Sequence, residues 1–163
     1  MGDRSNLIII TNRQELSLDT GDPHDLISGL AVYSHWGGRA AQIDALNAVL
    51  THGLRRLNDP SYFTRIAVRA FTAGDDGETG SGITPIAMPV RRNVIQAEIG
   101  TRLNPYILDN DGYLIPIINL TTEDISIYRH TFFDPHTPMT PLSVYPLNDT
   151  GLRLTLADIE NED

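Results

Sequence analysis

Leu30-Ala-Val-Tyr-Ser-His-Trp-Gly-Gly-Arg39 is the stretch on which the reading of this chain turns. Leu30 to Tyr33 is a short apolar run of the kind that forms a central strand. Gly37 and Gly38 interrupt it and permit positive φ or a close backbone approach. A helix is expected from about Arg39, leaving free N–H groups and a partial positive charge at its first turn. A strand, two glycines and a helix N-terminus in succession favour a bound anion. Around that point stand the hydroxyl of Ser34, the imidazole of His35, the indole of Trp36 and the guanidinium of Arg39. A flat anionic ligand would stack on Trp36 and set its phosphate against Arg39 and the helix end. A structural reading accounts for the same residues: Trp36 covers the core, Ser34 caps the helix and the glycines turn the chain. The stretch is neither GxxxxGK[ST] nor GxGxxG.

Downstream, apolar residues at Ile43, Leu46, Val49, Leu50, Gly53, Leu54 and Leu57 give one helical stripe over 39–57. Gln42, Asp44, Asn47 and Thr51 fall on its wet side, and His52 at the surface or boundary. Asp59 is a good N-cap and Pro60 suits the first position of a second helix, 60–72. Phe63, Ile66, Ala67, Ala70 and Phe71 form its buried side. Tyr62, Arg65 and Arg69, spaced by three and four, share another face. With the two helices side by side, Arg65 would reach the 33–39 turn as a second anion contact; a solvated or salt-bridged face is the plainer alternative.

The ordered set Tyr33-Ser-His-Trp-Gly-Gly38, Asp59-Pro-Ser-Tyr-Phe-Thr-Arg65 and Gly80-Ser-Gly-Ile83 resembles a family of small bacteriophage and actinobacterial proteins. That family shares a YSHWGG turn, a DPxYxxR segment and a GxGI motif. The resemblance covers roughly residues 28–120. It implies a compact α+β domain and a phage origin, and it brings no activity with it. The positions it marks are Tyr33, Ser34, His35, Trp36, Gly37, Gly38, Asp59, Tyr62 and Arg65.

Upstream, Leu7-Ile8-Ile9-Ile10 reads as a buried first strand over 6–11, with 14–18 extending or pairing with it. Turn chemistry follows at 19–23, and His24 and Asp25 read as an exposed loop before a second strand, 26–34. Beyond the helices, 73–82 is a loop of glycines and acids suited to a lid. Its Asp75, Asp76 and Glu78 lack EF-hand spacing, so no metal is expected there. Strands are expected at 82–88, where Pro85 favours a sheet edge, then at 94–99, 113–120 and 125–133, with a hairpin turn at 109–112. On the last strand Ile125 and Ile127 face opposite to Ser126, Tyr128 and His130. Pro135, Pro138, Pro141 and Pro146 argue for an extended arm over 135–163. Its apolar residues would pack on the domain of residues 1–134 or on a second subunit.

The 163 residues are long enough for one domain with a core of its own. The chain has no cysteine, which excludes thiol catalysis and thiolate metal sites. Net charge is −9, against non-specific nucleic-acid binding. All 12 basic residues are arginine, which fits either a coding bias or bidentate recognition of phosphate and carboxylate. No signal peptide or membrane span is expected, which points to the cytoplasm, that of the host if the chain is phage-encoded.

Ser34 with His35 and His130 with Asp134 are the candidate catalytic pairs. Neighbours on a strand point to opposite faces, so Ser34 and His35 do not make a natural nucleophile and base. His130 and His136 flank Asp134 without zinc spacing. No catalytic residue, metal or cofactor is therefore assigned. The expected fold is α+β: a mostly antiparallel sheet, two consecutive helices on one face and the proline-rich arm. The expected function is binding of an anionic small molecule, such as a nucleotide or ADP-ribose derivative, as a sponge for an immune signal. A homo-oligomer is expected. An assembly component and a nucleotide hydrolase are the alternatives. The ligand-binding residues are Tyr33, Ser34, His35, Trp36, Gly37, Gly38, Arg39, Tyr62, Arg65 and Arg69.

Overall fold

The computed structural model describes residues 2–16, 21, 23–73, 80–92, 95–103, 113–129 and 140–162. The acidic segment 74–79, the hairpin turn at 109–112, most of the turn at 19–23, and His130, Asp134 and His136 lie outside the described residues.

Leu7, Ile8, Ile9 and Ile10 are all fully buried, so their strand, β1 (Ser5–Leu16), is covered on both faces. β2 (His24–Ser34) pairs antiparallel along its length, with a bulge between Ile10 and Asn12. Gly29 sits opposite Ile10 at that bulge, and a Cβ there would collide with the Ile9 carbonyl. β3 (Ser81–Arg91) extends the sheet beyond β2 as an edge strand, where Pro85 and Pro89 are tolerated. On the other side of β1, β4 (Leu114–Asn119) runs parallel to it, followed by antiparallel β5 (Asp124–Arg129) and β6 (Ser143–Pro146). The order β3-β2-β1-β4-β5-β6 is a mixed, mostly antiparallel sheet, and the fold is α+β.

One face carries α1 (Gly38–Thr51), α2 (Pro60–Phe71) and α4 (Asp149–Glu160). Leu7, Ile9, Val32, Ile118, Ile125 and Ile127 meet them there. The other face holds Ile8, Ile10, Ile117 and Tyr128 against Ile99 and Leu103 of α3 (Ile95–Leu103). Helices therefore lie on both faces, not one, as a strand with no polar side requires. The alternation expected for 125–128 holds: Ile125 and Ile127 face α1 and α4, and Tyr128 faces α3.

Four further expectations about secondary structure are corrected. The segment 95–103 is helix, not strand. His24 and Asp25 belong to β2, and the Asp25 carboxylate is buried beneath Arg92, whose Nη2 lies 2.9 Å away. That pairing raises the Arg92 pKa, mainly through its hydrogen bond to Asp25. The helix from 39 ends at Thr51, and a separate 3-10 turn occupies Gly53–Arg56. Gly53 is buried with Val49 and Phe63 close around it, so the chain bends where α2 crosses.

The fourth concerns the C-terminal segment. Residues 143–160 are a strand and a helix, not an extended arm. The prolines stop at Pro146, and the Asn148 side chain then caps α4 by accepting from the Gly151 N–H at 2.8 Å. Leu152, Leu156 and Ile159, at helical spacing, pack into the same core as α1. Leu142, Val144 and Leu154 stay exposed.

α1 touches the sheet through Ala41, Ala45, Leu46 and Val49, with Ile43 and Leu50 at the flanks. Small residues at the contact let the helix lie close to the strands. Gln42, expected on the wet side, is fully buried there. Its Nε2 donates to the carbonyls of Asn6 at 2.9 Å and Leu114 at 2.8 Å, tying the ends of β1 and β4 to α1. Gln42→Leu removes the donor from both buried carbonyls. It should cost about 2–4 kcal/mol in urea unfolding.

Burial pushes the Tyr128 phenol up to about 12. In the unfolded chain a phenol titrates near about 10. The folded state therefore keeps a proton that the unfolded state gives up between those two values. The stabilisation is intact below about pH 10 and is lost as pH climbs toward the folded value. Melting temperature should fall across that window in the wild type and fall less in Tyr128→Phe.

Candidate functional site

The 33–39 turn forms much as expected but is filled from within. The Ser34 Oγ accepts the Gly37 N–H at 2.8 Å, and the Tyr33 hydroxyl meets His35 Nδ1 at 3.2 Å. Ser34 and His35 therefore serve different partners. Gly38 has φ of +52°, the left-handed region, and its N–H donates to the Asp3 carbonyl at 2.7 Å. The Asp3 carboxylate lies against Gly38 where a Cβ would project, and it accepts from the Tyr113 hydroxyl. The place that the sequence offers to an anion at the start of α1 thus holds the chain's own aspartate. Arg39 is engaged too. Its Nη2 donates to the Glu162 carbonyl at 2.8 Å, and its guanidinium lies 5.4 Å from the Tyr113 ring centre.

What stays open beside the turn is a cavity of about 350 Å³. Ser34, Trp36 and Gly37 line it with Asp44 of α1 and Ala70 of α2. His35 holds the Trp36 indole edge-on, with ring centres 4.5 Å apart, and Trp36 is still 60% exposed. Tyr33, His35, Gly38 and Arg39 do not line this cavity.

The other predicted residues lie in a larger groove of about 590 Å³ between α1, the 3-10 turn and α2. Tyr62, Arg65 and Arg69 line one wall, as their shared helical face requires. Arg65 does not reach the 33–39 turn. The opposite wall supplies His52, Arg55 and Arg56. These three were not predicted: His52 read as a surface or boundary residue, and nothing in the helical stripe of 39–57 marked Arg55 and Arg56 as facing a second helix. The 3-10 turn places them in the same groove as residues of α2. The spacing of His52, Arg55 and Arg56 by three and four was the available signal.

Two of the four arginines are arranged around Tyr62. The Arg56 and Arg65 guanidiniums lie 5.0 and 5.6 Å from its ring centre, within cation–π range. Tyr62 is itself positioned by the Asp59 cap, whose Oδ1 accepts the Tyr62 N–H at 3.3 Å. Among the described residues, no carboxylate pairs with Arg55, Arg56, Arg65 or Arg69. No protein-family model, curated protein or solved structure matches the chain.

Four guanidiniums in one groove, without a carboxylate partner among the described residues, contrast with a chain of net charge −9. Like charges brought together repel, and the groove gathers four of them. No group of three or more His, Asp or Glu capable of holding a metal occurs among the described residues. No helix there is long and apolar enough to cross a membrane.

Gly38→Ala tests the turn. A side chain there is strained by positive φ and displaces the Asp3 carboxylate. The variant should lose about 1–3 kcal/mol in urea unfolding.

Proposed function

We propose that this chain binds a small polyanion, of the nucleotide or ADP-ribose type, in the groove between α1 and α2 and holds it without converting it. The observation that carries this reading is the set Arg55, Arg56, Arg65 and Arg69: four guanidiniums lining one cavity, with no carboxylate partner among the described residues. Guanidinium presents planar, forked donors suited to phosphate oxygens. Surface arginines of a structural kind are expected to find the carboxylates of an acidic chain, as Arg92 does with Asp25 and Arg153 with Asp149.

Sequestration of a nucleotide-derived immune signal suits such a groove and the resemblance to phage proteins. The assembly alternative drew on the apolar C-terminal segment, and Leu152, Leu156 and Ile159 of that segment are spent in the chain's own core.

Thermal unfolding against tripolyphosphate, nucleotides, cyclic dinucleotides and ADP-ribose is the test, with chromatography of each ligand after heat release. A ligand at one hundred times its Kd that binds only the native state adds about 2.7 kcal/mol. The expected outcome is a clear rise in melting temperature, with the ligand recovered whole. Arg65→Ala/Arg69→Ala should lower affinity by about a hundredfold or more while leaving the unliganded melting temperature equal or higher. A converted ligand makes the protein an enzyme. No shift with any polyanion, or a variant destabilised without ligand, overturns the reading.

A further inference from the structure

The arginine groove and the cavity beside Trp36 share two lining residues, Ala70 and Ala73. They also share a wall. Ala40, Asp44, Ala48 and His52 recur every four residues along α1 and so form one ridge. The first two line the Trp36 cavity and the last two the arginine groove. Together the cavities make one trough along α1. The twelve-residue step from position 40 to position 52 spans roughly 18 Å, enough for a nucleoside polyphosphate lying lengthwise. The walls where the cavities meet are Ala48, Ala70 and Ala73, so among the described residues no large side chain divides them.

The two ends differ in chemistry. One end is cationic. The other offers an exposed indole, small walls at Ala40, Ala41 and Ala73, and, among the described residues, a single carboxylate, Asp44. Asp44 is exposed, and among the described residues no donor reaches it. A carboxylate in the phosphate-binding half would repel the ligand. Beside an aromatic platform, an ionised carboxylate accepts hydrogen bonds and gives none. A ring stacked on Trp36 therefore gains from Asp44 only if the edge it presents carries N–H donors. Guanine presents two adjacent donors, N1–H and the N2 amino group, matched to the two oxygens of a carboxylate. Adenine presents an acceptor at N1 next to its amino group and sets a lone pair against the carboxylate.

We infer that Trp36 and Asp44 form a base-recognition subsite selecting guanine nucleotides, with the phosphates in the Arg55, Arg56, Arg65 and Arg69 groove. The inference rests on the polyanion reading above and adds the identity of the base. Specificity comes from the carboxylate, stacking energy from the indole, and most of the affinity from the arginines.

The test is calorimetric titration of the full chain with GTP, ATP and tripolyphosphate, in wild type, Asp44→Asn and Trp36→Ala. Both substituted residues are exposed, and thermal melts confirm that each variant is folded. GTP should bind wild type at least about tenfold more tightly than ATP, since a site built to pair with donors rejects a ligand that lacks them. Asp44→Asn should remove that preference. Trp36→Ala should weaken GTP and ATP alike. Neither change should weaken tripolyphosphate. If tripolyphosphate binds and GTP and ATP bind equally, the guanine subsite is overturned and the polyanion groove stands. If the preference survives Asp44→Asn, the subsite as assigned is wrong. If tripolyphosphate and both nucleotides all fail to bind, both readings fall together.

Discussion

The fold depends on burying β1 from both sides. Leu7 to Ile10 alternate in direction, as a strand must, yet none has a polar face to give to water. Such a strand is stable only in the middle of a sheet with cover above and below. That requirement places β2 on one side and β4 on the other. It puts α1, α2 and α4 over one face and α3 on the opposite one. Each fully buried aliphatic side chain of this size contributes on the order of 2 kcal/mol of transfer free energy, so four in succession outweigh most local preferences nearby.

The parallel pairing of β1 with β4 brings a difficulty that Gln42 resolves. Hairpin neighbours are brought together by the turn between them, whereas β1 and β4 are separated by roughly a hundred residues of chain, and their junction gains no such local support. A buried amide that donates to one carbonyl on each strand fixes both ends against the same helix. The opposite end of the sheet uses charge: Asp25 draws Arg92 across from the end of β3, and Arg13 of β1 lies 3.8 Å from the same carboxylate.

The sequence was most readable where local chemistry and tertiary context agree. Leu7 to Ile10, the Asp59 cap with Pro60, the edge position of Pro85 and the alternation at 125–128 fall in this group. It was least readable where a residue's ordinary preference is overridden. Gln42 looks solvent-facing until two backbone carbonyls need a donor. The alanines of α1 look neutral until their small size decides which face meets the sheet. In the C-terminal segment the density of prolines masked a capped helix that begins just past the last of them. For the candidate site, the shared face of Tyr62, Arg65 and Arg69 followed from spacing alone. Its partners His52, Arg55 and Arg56 share a face by the same spacing, but only the packing of α2 beside α1 shows that the two faces meet in one groove. The turn at 33–39 was read as a place for an anion, and the Asp3 carboxylate lies against Gly38 there. Pattern within the turn itself had no means of revealing that aspartate.

The prolines of the outer strands have a consequence for behaviour at high concentration. β3 exposes one flank of the sheet over eleven residues, long enough to template a strand from another molecule. Pro85 and Pro89 have no N–H to offer, so a docking strand would meet gaps in the ladder. The opposite flank, β6, is only four residues long and closes with Pro146. Sheet-to-sheet growth into fibrils is thereby discouraged at both ends, and copies of this chain that do meet are left to do so through helices and loops.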